Sequence, residues 1–297
     1  LNYRRDRTGF TSDNVSHLFI VPADGGTPRQ ITEGEYGIAS ISLTPDGKSV
    51  LFSSGPRVED GEYQWRESDI FTADLATGAV KQLTTRKGPD SNPEVSPDGK
   101  LVAYTGYDWT DDTWVDSRMY VMNIDGTGSR VLTQSLDRSP QNMTWAADGS
   151  GIYFSVQDKG TQNLRFVNLR GEIREVTKGN HMLTVSEISP AGNVVGILTD
   201  SDSPPDIVSF NVKTPANIRQ LTAVNADILA GKKLGQVEEI WFKGPDNFDI
   251  QGWIVKPPDF DPSKKYPLML TIHGGPHSMY NVGFNFGYQE HVANGYV

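Results

Sequence analysis

Short apolar runs bounded by turn residues repeat along most of the chain. Val50-Leu51-Phe52, Leu101-Val102-Ala103-Tyr104, Ile152-Tyr153-Phe154 and Val194-Val195-Gly196-Ile197-Leu198 are contiguous rather than alternating. Contiguous runs of this length predict strands buried on both faces. Each follows a turn: Thr44-Pro45-Asp46-Gly47, Ser96-Pro97-Asp98-Gly99, then the decayed forms Ala146-Ala147-Asp148-Gly149 and Ser189-Pro190-Ala191-Gly192. Pro sets φ at the first central position, Asp accepts local backbone hydrogen bonds, and Gly supplies a positive φ. These are hairpin closures.

A second marker shares the phase. Short segments end in Thr at Thr32, Thr84, Thr133, Thr177 and Thr222, spaced 44 to 52 residues apart. Before each lies another hairpin, as in His17 to Val21 through Asp24-Gly25-Gly26, and Ile70 to Ala73 through Thr77-Gly78. One unit is therefore four short antiparallel strands. That period and strand count predict blades of a β-propeller, with neighbouring blades covering both faces. No helical period interrupts the chain before about residue 223, which excludes a helical solenoid. Residues 1–232 are predicted to be an incomplete propeller of about five blades, with earlier blades preceding Leu1.

The pattern then changes. Asn225 to Ala230 predicts one short helix or a linker. Val237 to Phe242 and Ile250 to Val255 predict a strand pair joined at Gly244-Pro245-Asp246-Asn247. Pro257-Pro258 and Asp261-Pro262 break the chain before the very apolar Pro267 to Ile272, predicted to be a short buried strand. It runs into His273-Gly274-Gly275-Pro276. Gly287 to Ala293 predicts a helix, and Gly295-Tyr296-Val297 the start of another strand. Strand, strand, buried strand, glycine turn, helix, strand is the opening of an α/β sheet. The fold class expected is mainly β: a partial propeller of four-stranded blades, followed over 233–297 by the first strands of an α/β-hydrolase domain. Both chain ends read as cuts within a longer protein.

Charge narrows the chemistry. The 297 residues carry 27 Lys and Arg against 37 Asp and Glu, a net charge of −10. The densest basic cluster, Arg4, Arg5 and Arg7, reads as a solvated loop, so no nucleic-acid partner is expected. No apolar stretch approaches the roughly 18 residues of a membrane helix, so no membrane partner is expected either. With no cysteine, a thiol nucleophile and a cysteine metal site are excluded, and the compartment (cytoplasm or periplasm) is not set. Two inserts stand out. Pro56 to Glu67 contains Tyr63 and Trp65, and Tyr107 to Asp116 contains Trp109, Trp114 and four Asp residues. Both read as loops covering strand edges, with ligand or domain contact the alternative.

The His-Gly-Gly turn carries the chemical signal. In α/β-hydrolases one backbone N–H of the oxyanion hole comes from the loop after the third strand. Glycine there lets the backbone approach a substrate carbonyl, and such donors contribute roughly 3 to 4 kcal/mol to the transition state. A tight turn after a buried strand is the structural alternative. The Ser-Pro-Asp-Gly-Lys turns, the Gln-Leu-Thr strand ends, Gln251-Gly252-Trp253-Ile254-Val255-Lys256-Pro257 and His273-Gly274-Gly275-Pro276 together resemble the prolyl oligopeptidase family of serine peptidases. Within it the chain is most similar to the acylaminoacyl-peptidase branch, because His273 stands where other branches usually carry Tyr. The resemblance covers essentially the whole chain, and its specific part is the junction between propeller and hydrolase segment.

That resemblance implies a Ser-Asp-His triad under a propeller that limits access to peptides. It implies that the Gly275 N–H donates to the oxyanion, Gly274 shapes the turn, and His273 supports the loop. The nucleophile of such enzymes sits in Gly-x-Ser-x-Gly, and the chain order is Ser, acid, His. No such motif occurs; Gly149-Ser150-Gly151 is a hairpin turn. The triad is expected beyond Val297, leaving this chain inactive by itself. His273 and His277 have the spacing of a zinc helix, but Gly274, Gly275 and Pro276 between them break any helix, so no metal is expected. His17, His181 and His291 read as packed or solvated. Glu238-Glu239 and Asp111-Asp112 point to opposite faces if on strands, and so are poor acid/base pairs. The function implied is hydrolysis of short peptides, N-acylated ones included, through an acyl-enzyme without a cofactor. The partner is a peptide substrate, and a homo-oligomer is compatible with the sequence. The alternatives are a non-catalytic TolB-like propeller that binds a protein, and an esterase on the same scaffold.

Overall fold

The computed structural model describes residues 4–5, 9–10, 15–55, 66–275 and 277–297. Arg7, most of the 56–67 insert with Tyr63 and Trp65, and Pro276 lie outside them. The chain divides into two compact units, Leu1–Phe154 with Phe166–Arg174, and Ser155–Arg165 with Glu175–Val297.

The first unit opens with two short ladders, β1 (Arg4–Arg5) on β2 (Gly9–Phe10) and β3 (Phe19–Ile20) on β4 (Arg29–Gln30). Two four-stranded antiparallel blades follow. One is β5 (Ile38–Leu43), β6 (Ser49–Ser54), β7 (Asp69–Asp74) and β8 (Val80–Gln82). The next is β9 (Asp90–Val95), β10 (Leu101–Gly106), β11 (Arg118–Asn123) and β12 (Arg130–Val131). Leu51, Ile70 and Leu83 pack with Val102, Tyr104 and Met122 into one buried cluster, so the two blades cover each other's faces as predicted. The indole of Trp145 on β13 (Gln141–Trp145) donates to the Glu94 carbonyl at 2.9 Å. β14 (Gly151–Asp158), β15 (Thr161–Asn168) and β16 (Ile173–Glu175) contribute residues to both units.

The second unit holds the antiparallel strands β17 (Met182–Ile188), β18 (Asn193–Thr199), β19 (Asp206–Asn211) and β20 (Thr214–Gln220), the last blade, which a parallel pairing of Gln162 with Met182 joins to β15 in one sheet. Here the expected two-sided burial fails. Val194 is fully buried, whereas Val195 and Ile197 are 42% and 43% exposed. β18 therefore alternates, with one face packed and one face free. After the one-turn helix α1 (Ala226–Leu229) come β21 (Gln236–Lys243), β22 (Asp249–Lys256) and helix α2 (Phe286–Ala293).

The repeated sequence markers acquire a physical role. The hydroxyls of Thr32, Thr84, Thr133, Thr177 and Thr222 accept the N–H of Leu18, Ile70, Met119, Leu164 and Ile207, at 2.8 to 2.9 Å. Each thus closes the last strand of a blade onto the strand before it. In the x-Asp-Gly turns the Asp side chain does the closing. Asp46 accepts Thr44 Oγ1 and the Lys48 N–H, and Asp98 accepts Ser96 Oγ and the Lys100 N–H. Those donors hold both carboxyls below the usual carboxylate range.

Candidate functional site

The segment that carries the glycine turn is built on a hairpin. β21 and β22 pair antiparallel in unbroken register from Gln236↔Lys256 to Lys243↔Asp249. α2 starts at Asn285, whose side chain accepts the Tyr288 N–H at 3.0 Å and caps the helix. Gln289 Oε1 on α2 accepts the Gly235 N–H at 2.7 Å, and a Cβ at Gly235 would strike both Val292 on α2 and the Lys256 carbonyl. Gly235 is there because helix and hairpin meet without room for a side chain.

Between them, the expected buried strand is corrected. Pro267 to Ile272 is extended but forms no assigned strand, and Leu268, Leu270 and Ile272 are 74%, 75% and 80% exposed. Among the described residues its backbone pairs with the far end of the segment. Met269 N–H donates to the Val297 carbonyl at 2.8 Å, and Val297 N–H donates to the Pro267 carbonyl at 3.0 Å. One residue bonded to positions two apart on its neighbour is the parallel pattern. Segment, helix α2 and segment thus follow a βαβ order joined by one parallel bonded pair, but Gly295-Tyr296-Val297 does not form the strand expected to start there. Burial fails because a single neighbour cannot cover a strand on both faces.

The glycine turn follows Ile272 directly. Gly275 has φ +136°, a region L side chains rarely adopt, and a Cβ there would lie 3.0 Å from the His277 nitrogen and 3.1 Å from Ser278 Cβ. Gly274 has open space around it. Both residues are exposed. The exposed His273 ring meets its own loop: Nδ1 lies 3.2 Å from the Gly274 carbonyl oxygen, and the imidazole contacts Tyr280 edge-on at 5.5 Å between centroids. Burial pushes the Tyr288 pKa upward, with the Thr271 and Tyr280 side chains acting on its hydroxyl in opposite directions. Tyr280 therefore stands against the ring that opens the turn. Tyr280, Tyr288 and Thr271 carry no motif, and only their placement within the βαβ turn could have singled them out.

Elsewhere the site residues read from sequence stay apart. His17 Nδ1 lies 3.4 Å from Thr32 Oγ1, within a blade closure. His181 is half-buried, its Nε2 has no hydrogen-bond partner, and burial lowers its pKa despite Asp200 nearby. Glu238 pairs with Lys256 across the hairpin, while Glu239 accepts the Trp241 indole N–H at 2.6 Å, so the two carboxylates serve different partners. Trp109 lies under the Lys87 ammonium at 4.0 Å. Ser150 sits in a hairpin turn, its N–H donating to Asp148. Among the described residues no group of three or more His, Asp or Glu is arranged to hold a metal, and no helix is long and apolar enough to cross a membrane.

Over 290 residues the chain is 30% identical to dipeptidyl-peptidase 5 of Porphyromonas gingivalis, an alignment covering 92% of this chain. The chain belongs to the prolyl oligopeptidase family. It spans 42% of that relative's length. No family model matches it. A Mycobacterium tuberculosis puromycin-hydrolyzing peptidase superposes on 97% of the chain with a TM-score of 0.62 at 15% identity, and covers the transition from blades to hydrolase segment. TolB from Acinetobacter baumannii superposes on 80% with a TM-score of 0.54 at 18% identity. These two structures establish the fold.

Proposed function

We propose that the protein containing this chain is a serine-type peptidase that cleaves short peptides through an acyl-enzyme. The observation that carries the proposal is the Gly274–Gly275 turn. It stands between an extended apolar segment and a capped helix, in a chain whose relatives are peptidases. In this reading Gly275 N–H is one of the two oxyanion donors, and the second follows the nucleophile. Gly274 leaves the approach to the substrate carbonyl open, and His273 holds the turn against Tyr280. The blades limit which substrates reach the site. The nucleophile, its acid and its base belong to sequence following these residues, and the reaction requires no cofactor.

The name dipeptidyl-peptidase 5 carried by the relatives favours release of unblocked N-terminal dipeptides. Acyl-blocked peptides are the competing substrate class. The test uses the full-length protein. A fluorophosphonate should label one serine and abolish release of p-nitroaniline from dipeptidyl substrates, with N-acetylated analogues assayed in parallel. A protein that neither labels nor turns over either substrate contradicts the proposal and favours a binding propeller.

A further inference from the structure

The turn between β14 and β15 is the two-residue loop Lys159-Gly160, with φ of +47° and +76°. Positive φ at both central positions is the tight hairpin whose twist matches its strands. Its tip carries more than a reversal. Gly160 bonds twice to the stretch that follows the glycine turn: its carbonyl accepts the Val282 N–H at 2.9 Å, and its own N–H donates to Met279 Sδ at 3.2 Å. The Lys159 carbonyl accepts Gln251 Nε2 on β22 at 3.0 Å. A Cβ on Gly160 would fall 2.7 Å from Cη2 of Trp253, inside the contact surface of the indole. Beside this, Thr199 Oγ1 at the end of β18 accepts the Phe284 N–H at 3.0 Å. Blade residues thus grip the stretch at 279, 282 and 284. Tyr280, between the first two grips, is the residue that touches His273 of the turn.

We infer that the Lys159–Gly160 hairpin is a positioning latch, by which the blades set the geometry of the Gly274–Gly275 turn. Gly160 is a positioning residue, since it touches no reacting atom and acts through Met279, Val282 and Tyr280. The need for glycine is double: positive φ, and no Cβ against Trp253. The functional half of this inference rests on the peptidase reading. The structural half does not.

The experiment compares wild-type full-length protein with Gly160→Ala, measuring amide hydrogen exchange over 279–284 together with kcat and KM on a dipeptidyl p-nitroanilide. Gly149→Ala is the matched control, because Gly149 has φ +70° and open space around it. Met279→Leu is a milder second variant that keeps the volume and removes the sulfur acceptor. Gly160→Ala should speed exchange at Val282 by about tenfold, through cheaper local opening. It should lower kcat about tenfold with KM within about twofold, the signature of a displaced catalytic donor. Met279→Leu should move both in the same direction by less. Trp253→Leu added to Gly160→Ala should recover the part of both losses due to the indole clash, leaving the part due to positive φ, whereas Gly149→Ala should leave them at wild type. Unchanged exchange at Val282, or faster exchange with unchanged kcat, overturns the latch. If the wild-type protein shows no turnover, the peptidase reading falls, and the exchange data alone decide whether the hairpin holds the loop.

Discussion

At the scale of single residues, the recurring Thr is the most informative position. Thr84 accepts the buried Ile70 N–H and donates to Asp69 Oδ1, each at 2.9 Å. Thr84→Val keeps the shape and leaves that amide unpaired, a cost of about 1–3 kcal/mol. Urea titration should show a lower midpoint at unchanged slope; an unshifted midpoint would remove the closure role. Asp90 gives a pH signature. Its side chain is fully buried, and burial pushes its pKa up to about 6, against the opposing pull of Arg86. A folded-state value above the unfolded one means that the folded protein takes up the proton first. The stability contributed by Asp90 therefore rises as pH falls from 7 through 6 toward 4, and is level below that. Wild type should gain in Tm relative to Asp90→Asn between pH 7 and pH 5; a difference independent of pH would contradict the burial argument. The sequence marked the Thr and Asp-Gly positions by their period alone. It hid Asp90, Tyr280 and Tyr288, because their environments come from neighbours remote in sequence.

At the scale of elements, periodicity and turn chemistry made the blades legible. β6 and β10 are buried almost throughout, as their contiguous apolar runs predict. β18 has the same kind of sequence and alternates instead, since burial depends on a neighbouring blade and not on the strand. Pro267 to Ile272 fails for the same reason: its composition is that of a buried strand, and among the described residues its backbone pairs only with Val297. Hairpin β21–β22 and helix α2 were legible because turn and cap are local. Gly196 in β18 tests backbone proximity. It pairs with Val185 where the register shifts, and a Cβ there would lie 2.6 Å from the Thr184 carbonyl oxygen. Gly196→Val should cost about 1–3 kcal/mol by overpacking, read as a lower Tm; an unchanged Tm would mean that the two strands part freely.

For the whole molecule, two signals of unequal reach agree. The blade repeat fixes architecture and is shared by propellers of many functions, as the likeness to TolB illustrates. The glycine turn is four residues long and carries the proposed chemistry, and it gains meaning from the apolar segment before it and α2 after it. Because Gly-x-Ser-x-Gly does not occur in these 297 residues, the chain expressed alone should release no p-nitroaniline above the buffer blank, while full-length protein does. Turnover by the chain alone would place a nucleophile where none has been assigned. The most direct test of the central claim is kcat of full-length Gly275→Val, with Tm measured alongside. A side chain at φ +136°, pressed on His277 and Ser278, should displace the amide proposed as an oxyanion donor. Removal of one such donor predicts a fall in kcat of about 10²- to 10³-fold at unchanged Tm; turnover equal to wild type would contradict the assignment of Gly275 to the oxyanion hole.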